Sequence, residues 1–207
     1  TAYLLSKICK EINFPKGVLN IVHGRGEKLG DALTTHQDVP IVSFTGGSDT
    51  GKHISKVTAP YFKKLSLELG GKNPNIIFDD CDFDKAVSTA SRAAFTNQGQ
   101  ICLCGSRVFV QNKIYEKFKS ALVDKAKKLI VGDPKNSNSH LGAVVSEEHM
   151  NKILLKINEA KKLGGILLCG GERLILEGEL KNGYYIQPTV FENLAYDCSI
   201  NNEEIFG

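Results

Sequence analysis

Apolar residues recur at two alternating periods along this 207-residue chain. Leu4, Leu5, Ile8 and Ile12 stand three or four apart, which predicts a helix over Ala2 to Glu11. Phe14-Pro15-Lys16-Gly17 breaks that run, and Val18 to Val22 reads as a strand. His23 to Gly30 is then a glycine-rich turn entering a second helix. Pro40 opens another strand, Ile41 to Phe44, after which Thr45 to Gly51 leads into a helix ending near Thr58. Strand, glycine turn and helix thus occur twice before Thr58. Alternation of this kind predicts parallel β-α-β units and an α/β fold.

The same pattern continues downstream. Leu65 to Leu69 and Asn75 to Phe78 read as strands, and Phe83, Ala86, Val87 and Ala90 mark a helix face. Asp79, Asp80 and Asp82 precede that helix, where acids suit an N-terminus without any metal. The helix gives way near Asn97, Gly99 forces a turn, and Val108 to Val110 is again strand-like. Ile114, Phe118, Leu122, Ala126 and Leu129 line one later helix face; Met150, Ile153, Leu154, Ile157 and Leu163 line the next. Asp133 to Ser139 is a polar loop, Ile166 to Cys169 a short strand, and Gly183 to Val190 an extended stretch interrupted by Pro188. Gly70-Gly71 is the natural place for a domain change, giving expected domains 1–70 and 71–207.

Composition narrows the partners. Hydrophobic residues at 42% and charged residues at 24% are those of a globular protein in water. The net charge of +3 is dispersed, so no nucleic-acid partner is implied. No apolar run nears the ~20 residues a membrane-spanning helix needs. Cys9, Cys81, Cys102, Cys104, Cys169 and Cys198 contain no C-x₂-C pair, which argues against a zinc site and for a reducing, cytoplasmic compartment.

Four stretches carry chemistry. Cys102 sits between a helix and a strand, where its thiol can be aimed into a cleft instead of a core. A free thiol needs local help to become thiolate, and N–H groups in a glycine-containing turn can hold an oxyanion. The plainer alternative is a small buried hydrophobe. Glu68 lies between Leu67 and Leu69, where an anion pays for lost solvation unless it is tuned, as general bases are. The plainer alternative is an edge-strand glutamate facing water. The glycines of His23–Gly30 and Thr45–Gly51 could admit a phosphate to a helix N-terminus or merely make tight turns.

Taken together, these motifs resemble the NAD(P)-dependent aldehyde dehydrogenase superfamily, over the whole of Thr1 to Gly207. Leu67-Glu68-Leu69-Gly70-Gly71-Lys72-Asn73-Pro74 matches the family's glutamate motif, and Phe95 to Ser106 its cysteine motif. The interval from Glu68 to Cys102 matches as well. Phe44-Thr45-Gly46 with Gly51 matches the nucleotide-binding turn, with Gly47 where many members carry Ser. Glu203-Glu204-Ile205-Phe206-Gly207 matches the acidic motif whose second glutamate holds the nicotinamide ribose. Ile101-Cys102-Leu103-Cys104 and Leu65-Ser66-Leu67-Glu68 are most similar to the branch acting on 2-aminomuconic semialdehyde.

The resemblance implies a partial Rossmann-like cofactor domain followed by a partial α/β catalytic domain, as an internal piece of a longer homo-oligomeric enzyme. An asparagine oxyanion donor is expected upstream of Thr1, so the isolated chain is expected to be inactive. The resemblance further implies Cys102 as nucleophile toward a small aldehyde and Glu68 as general base. Phe44, Thr45, Gly46, Gly47, Gly51, Leu69, Gly70, Glu204 and Phe206 are implied to contact NAD, with NADP not excluded. Relatives that acylate coenzyme A lack a base at the Glu68 position, so hydrolysis to the acid is expected. The rival from another class is a non-catalytic binding or structural protein with this fold. A short-chain-type reductase fails, because no tyrosine is followed by Lys at the Tyr-x-x-x-Lys spacing.

Overall fold

The computed structural model describes residues 1–207, which divide into two compact units, Thr1–Leu69 and Gly70–Gly207. In the first unit, α1 (Ala2–Glu11) and α2 (Gly26–Thr34) precede β1 (Ile41–Thr45), α3 (Ser48–Thr58) and β2 (Lys64–Glu68). β1 and β2 pair in parallel, with Ile41 opposite Lys64 and Thr45 opposite Glu68, so α3 is the crossover of a β-α-β unit. Val42, Ile54 and Thr58 are its buried side chains, and the Thr58 hydroxyl donates to the Ile54 carbonyl at 2.7 Å.

One expectation fails here. Val18–Val22 forms no strand, so strand, turn and helix occur once and not twice. Local turn chemistry decides the matter: Gly17 takes φ +86°, the Val18 N–H donates to the Pro15 carbonyl, and the Asn20 amide donates to the Gly17 carbonyl at 3.0 Å. A side chain that closes a turn on its own backbone competes with the extended form, and Val18–Val22 has no ladder partner to oppose it. α1 is a helix as its period requires, yet Leu4, Leu5 and Ile8 are all exposed.

The second unit begins with another parallel unit, β3 (Pro74–Ile77), α4 (Phe83–Phe95) and β4 (Arg107–Val110), in register Pro74 with Arg107 through Ile77 with Val110. Asp82 caps α4, its carboxylate accepting the Lys85 N–H at 3.2 Å. α5 (Tyr115–Lys127) packs on α4, and their shared core is Ile77, Val87, Ala90, Phe118 and Leu122. Phe118 is fully enclosed there, and its ring meets Phe83 edge-on at 5.9 Å.

α6 (Glu147–Lys162) is capped by Ser146, with acids in its first turn and Lys161 and Lys162 in its last. Its face of Met150, Ile153 and Ile157 buries with Val144 against Tyr184, Ile186, Phe191 and Ile205. The remaining strands are β5 (Ile166–Cys169), β6 (Arg173–Leu174), β7 (Tyr185–Ile186) and β8 (Val190–Glu192). They pair antiparallel, β5 with β8 and β6 with β7, which is where this unit departs from a purely parallel arrangement. A short helix α7 (Ser199–Asn202) leads to Gly207.

Candidate active site

In the first unit, the named residues gather where β1 and β2 end and α3 begins. Gly46 donates its N–H to the Glu68 carbonyl at 3.0 Å, which ties the turn after β1 to the end of β2. A Cβ on Gly46 would lie 2.5 Å from Cζ of Phe44, so Phe44 folds back over this position and would have to move for any larger residue. Gly51, buried in the first turn of α3, gives its space to Leu69: a Cβ there would come within 2.9 Å of Leu69 Cδ1. Gly47 is the α3 N-cap with φ −64° and ψ 144°, and nothing approaches its Cβ position within 4 Å. Gly51 makes the first backbone bond of this helix, to the Gly47 carbonyl. The preceding amides therefore present the free N–H groups and positive dipole end that favour an anion.

Glu68 does not sit in an apolar setting. Along β2, Leu65 and Leu67 are half-buried while Lys64, Ser66 and Glu68 are exposed. Successive strand side chains point to opposite faces, so Leu67 cannot desolvate its neighbour. The carboxylate is free of hydrogen bonds and faces water, opposite Thr45 in the ladder.

In the second unit, Cys102 lies at the crest of the loop between α4 and β4, and its thiol is exposed. The loop is entered through a left-handed turn: Asn97, Gln98 and Gly99 have φ of 52°, 58° and 77°. Two of the three carry a Cβ, at a cost of roughly 1–2 kcal/mol for a residue such as Gln98. Side chains hold the strained turn in place. Gln98 donates to the Ala143 carbonyl at 3.0 Å, Asn97 donates to the Gln100 carbonyl at 3.1 Å, and Gln100 accepts the Val145 N–H at 3.0 Å.

From the other side, the Asn73 amide donates to the carbonyls of Cys102, at 2.6 Å, and Cys104, at 3.2 Å. Arg107 Nε donates to the Lys72 carbonyl at 2.9 Å, and the Gly105 N–H to Ala93 at 3.1 Å. The N–H of Cys102 itself bonds to nothing in the protein, so it remains available to an oxyanion. Cys104, two residues on, is buried, and burial pushes its thiol pKa up; it is a core residue of this loop.

Glu204 turns its carboxylate onto the opening of the same unit. Oε1 lies 3.4 Å from the Gly71 N–H, and a Cβ on Gly70 would come within 2.8 Å of its carboxyl carbon. Phe206 takes φ 66°, and its carbonyl is 2.7 Å from His149 Nε2. The structure thus collects Phe44, Thr45, Gly46, Gly47, Gly51, Glu68 and Leu69 within the first unit, and Gly70, Cys102, Glu204 and Phe206 within the second. No group of His, Cys, Asp and Glu is arranged to hold a metal ion.

The aldehyde dehydrogenase family model matches residues 1–207, the whole chain. The chain belongs to the aldehyde dehydrogenase family. It is 42% identical to the 2-aminomuconic semialdehyde dehydrogenase of Danio rerio, over all of this chain and 43% of that protein. It is 44% identical to 4-trimethylaminobutyraldehyde dehydrogenase A of Danio rerio, again over all of this chain and 41% of the relative. Betaine aldehyde dehydrogenase of Staphylococcus aureus, solved in complex with NAD⁺, superposes with a TM-score of 0.94 at 43% identity, covering 99% of this chain and 40% of that one. The chain therefore spans less than half the length of these aldehyde dehydrogenases, and its α/β fold is theirs.

Inside the aldehyde dehydrogenase motifs, several residues matter that sequence reading passed over. Asn73 was legible only as part of a motif, although a side chain able to donate twice, placed just before Pro74 at a strand start, was a usable signal. Lys72 is half-buried, and its ammonium has no ion-pair or hydrogen-bond partner. Burial first, then the Arg107 charge, lowers its pKa to about 8, against the raising effect of Cys198 and Glu204. Nothing in the spacing marked Lys156 or His149, which reach the acidic motif from α6.

Proposed function

We propose that this chain carries the cofactor turn, the nucleophile and the general base of an aldehyde dehydrogenase that oxidises an aldehyde to a carboxylic acid with NAD or NADP. The observation that carries the reading is Cys102: an exposed thiol on a loop braced by Asn73 and a strained turn, with its own N–H left free. Buried structural cysteines look different, as Cys104 does.

The residues present fit the cofactor. The α3 N-terminus, entered through Gly46 and Gly47, suits a pyrophosphate, and the Gly51–Leu69 contact shapes its floor. Glu204, exposed in part beside Gly70 and Gly71, can accept hydrogen bonds from ribose hydroxyls. The S. aureus relative is described with NAD⁺. When bound, the nicotinamide accepts the hydride that leaves the substrate carbon.

On this reading Cys102 thiolate adds to the aldehyde carbonyl carbon, and the resulting alkoxide is held by the Cys102 N–H. Loss of hydride restores the carbonyl as a thioester on Cys102. Glu68 then takes a proton from water, hydroxide adds to the thioester, and the thiolate departs as the carboxylic acid forms. An exposed Glu68 suits this step, since the base must reach a water molecule.

The substrate is a small aldehyde, and a semialdehyde such as 2-aminomuconic semialdehyde is the reading favoured by the cysteine motif. Relatives named for quite different aldehydes match to a similar degree, at 42% and 44% identity, so overall identity does not choose between them. No helix is long and apolar enough to cross a membrane. The six free thiols support a cytoplasmic setting, and the resemblance supports a homo-oligomer.

The test is made in the full-length protein with an aldehyde panel and both cofactors. Cys102→Ala should abolish oxidation and keep cofactor binding, whereas Cys104→Ala should retain most activity. Activity that survives Cys102→Ala, or wild-type protein inert toward every aldehyde while binding cofactor, would refute the reading. Glu68→Gln should leave a burst of reduced cofactor ahead of turnover slowed about 10²–10⁴-fold.

A further inference from the structure

Glu203 and Glu204 are adjacent, yet their surroundings are opposite. Glu204 points to the Gly70–Gly71 backbone, and Glu203 points to helix α6, where its Oε2 is 2.9 Å from Lys156 Nζ. Lys156 is held equally by Glu159, also at 2.9 Å, and its side chain is only 18% exposed. Glu159 accepts a second bond from the hydroxyl of Ser199, the first residue of α7. Toward the start of α6, Ile153, just under one turn away, lies among the residues packed with Ile205, and His149, about two turns away, meets the Phe206 carbonyl. A single helix face therefore grips the closing segment at Ser199, Glu203, Ile205 and Phe206.

We propose that Lys156 is a positioning residue for the cofactor: by pinning Glu203 to α6 it fixes the direction in which Glu204 projects. The proposal rests on the reading of Glu204 as the ribose-binding carboxylate. Its physical basis is geometric. Side chains at neighbouring positions of an extended segment leave on opposite sides, so anchoring one sets the other. A shielded lysine between two carboxylates is a stiffer anchor than an exposed pair, because water and salt screen it less. Loss of Lys156 would leave Glu203 unpaired; the holds at Ser199, Ile205 and Phe206 would remain, but the one adjacent to Glu204 would be gone, and its carboxylate would be held less firmly beside Gly71.

The experiment uses the full-length protein with NAD⁺ varied at saturating aldehyde. Lys156→Met should raise KM for NAD⁺ about tenfold, between the worth of an exposed pair and that of a buried one. KM for aldehyde should hold, and kcat should fall less than kcat/KM for NAD⁺. Lys156→Arg should restore most of the loss. Glu203→Gln should mimic Lys156→Met, and the double variant should be no worse than either, the signature of one shared interaction. A lowered melting temperature with wild-type KM for NAD⁺ would make Lys156 merely structural and overturn the proposal. Glu204→Gln separates the two levels. If it raises KM for NAD⁺ and Lys156→Met does not, only the positioning role falls; if it changes nothing, the ribose assignment falls and this proposal with it.

Discussion

The carboxylate of Glu204 occupies the space that a side chain on Gly70 would need. Gly70 has an ordinary negative φ, so the position demands glycine for room and not for backbone freedom. Gly70→Ala should displace Glu204 and raise KM for the nicotinamide cofactor, by about tenfold if one ribose hydrogen-bonding group is lost. The neighbouring site makes the control. A Cβ on Gly71 would meet Asn73 Oδ1 at 3.3 Å and the Cys102 carbonyl at 3.6 Å. The Cys102 contact is an ordinary one, but the Asn73 amide would have to give way, so Gly71→Ala should disturb the thiol loop through Asn73 and lower kcat, leaving cofactor affinity near wild type. Steady-state kinetics with each substrate varied tells the two patterns apart, and identical effects from both variants would count against this division.

Asn73 braces the nucleophile through two donated hydrogen bonds, to the carbonyls of Cys102 and Cys104. Asn73→Ala frees the crest of the loop, and a displacement of about 1 Å at a reacting group costs on the order of 100-fold in rate. The expected outcome is that loss in kcat with cofactor binding intact, as judged by calorimetric titration with NAD⁺. Asn73→Asp should be at least as poor, because a carboxylate donates to neither carbonyl. A kcat within a few-fold of wild type would show that the strained Asn97–Gly99 turn holds Cys102 alone.

Much of this was legible in the sequence, and the failures have physical causes. Strands and helices whose period was long and clean, such as α5 with Phe118 and Leu122 or α6 with Met150 and Ile157, appear where the pattern put them. Val18–Val22 had the composition of a strand but lost to a Gly17–Asn20 turn, because composition says nothing about whether a ladder partner exists. Of the two settings the sequence leaves open for Glu68, period-2 alternation selects the exposed one, turning it away from Leu67 and into water. β5 stands where Ile166–Cys169 reads as a strand and β7 lies within the extended Gly183–Val190 stretch, but β6 and the antiparallel pairing escape notice, because strands of two to four residues are too short to show a period or a partner. Lys156 escaped notice for a different reason: its partners are Glu159, one turn away, and Glu203, far along the chain, and only folding brings the second close.

Two glycines of the first unit differ in what surrounds them, and substitution should separate them. Gly47 has extended backbone angles and open space, so Gly47→Ser fits without strain and offers a better N-cap by a few tenths of a kcal/mol. Its KM for the cofactor should stay within about threefold of wild type. Gly51→Ala overlaps the end of Leu69, a flexible side chain that can move aside. Alanine also favours a helix interior by about 1 kcal/mol over glycine, so the fold should survive. Weaker cofactor binding with an unchanged or higher unfolding midpoint is the expected result for Gly51→Ala. Wild-type affinity in that variant would remove Leu69 from the cofactor floor.

The pH dependence of stability should carry a signature of Lys72. Its pKa falls from 10.5 to about 8, first through burial and then through the charge of Arg107, with Lys156 adding a smaller push downward. Cys198 and Glu204 oppose the shift without cancelling it. A base whose folded pKa lies below its unfolded value binds fewer protons when folded, so stability rises with pH across the window between the two. Below pH 8 the charged ammonium is a constant burden on the folded state, and above 10.5 the burden is gone. Lys72→Met keeps the apolar stem and removes the charge. At pH 7 it should stabilise the protein by about 1–2 kcal/mol after allowance for solvent screening, and the advantage should shrink as pH climbs from 8 toward 10.5. Urea unfolding of wild type and variant in parallel at pH 7, 9 and 10.5 reads this directly. An advantage that is independent of pH would mean packing of the methionine and not relief of a buried charge, and a destabilised variant at pH 7 would mean that Glu204 and Cys198 hold the ammonium more strongly than burial penalises it.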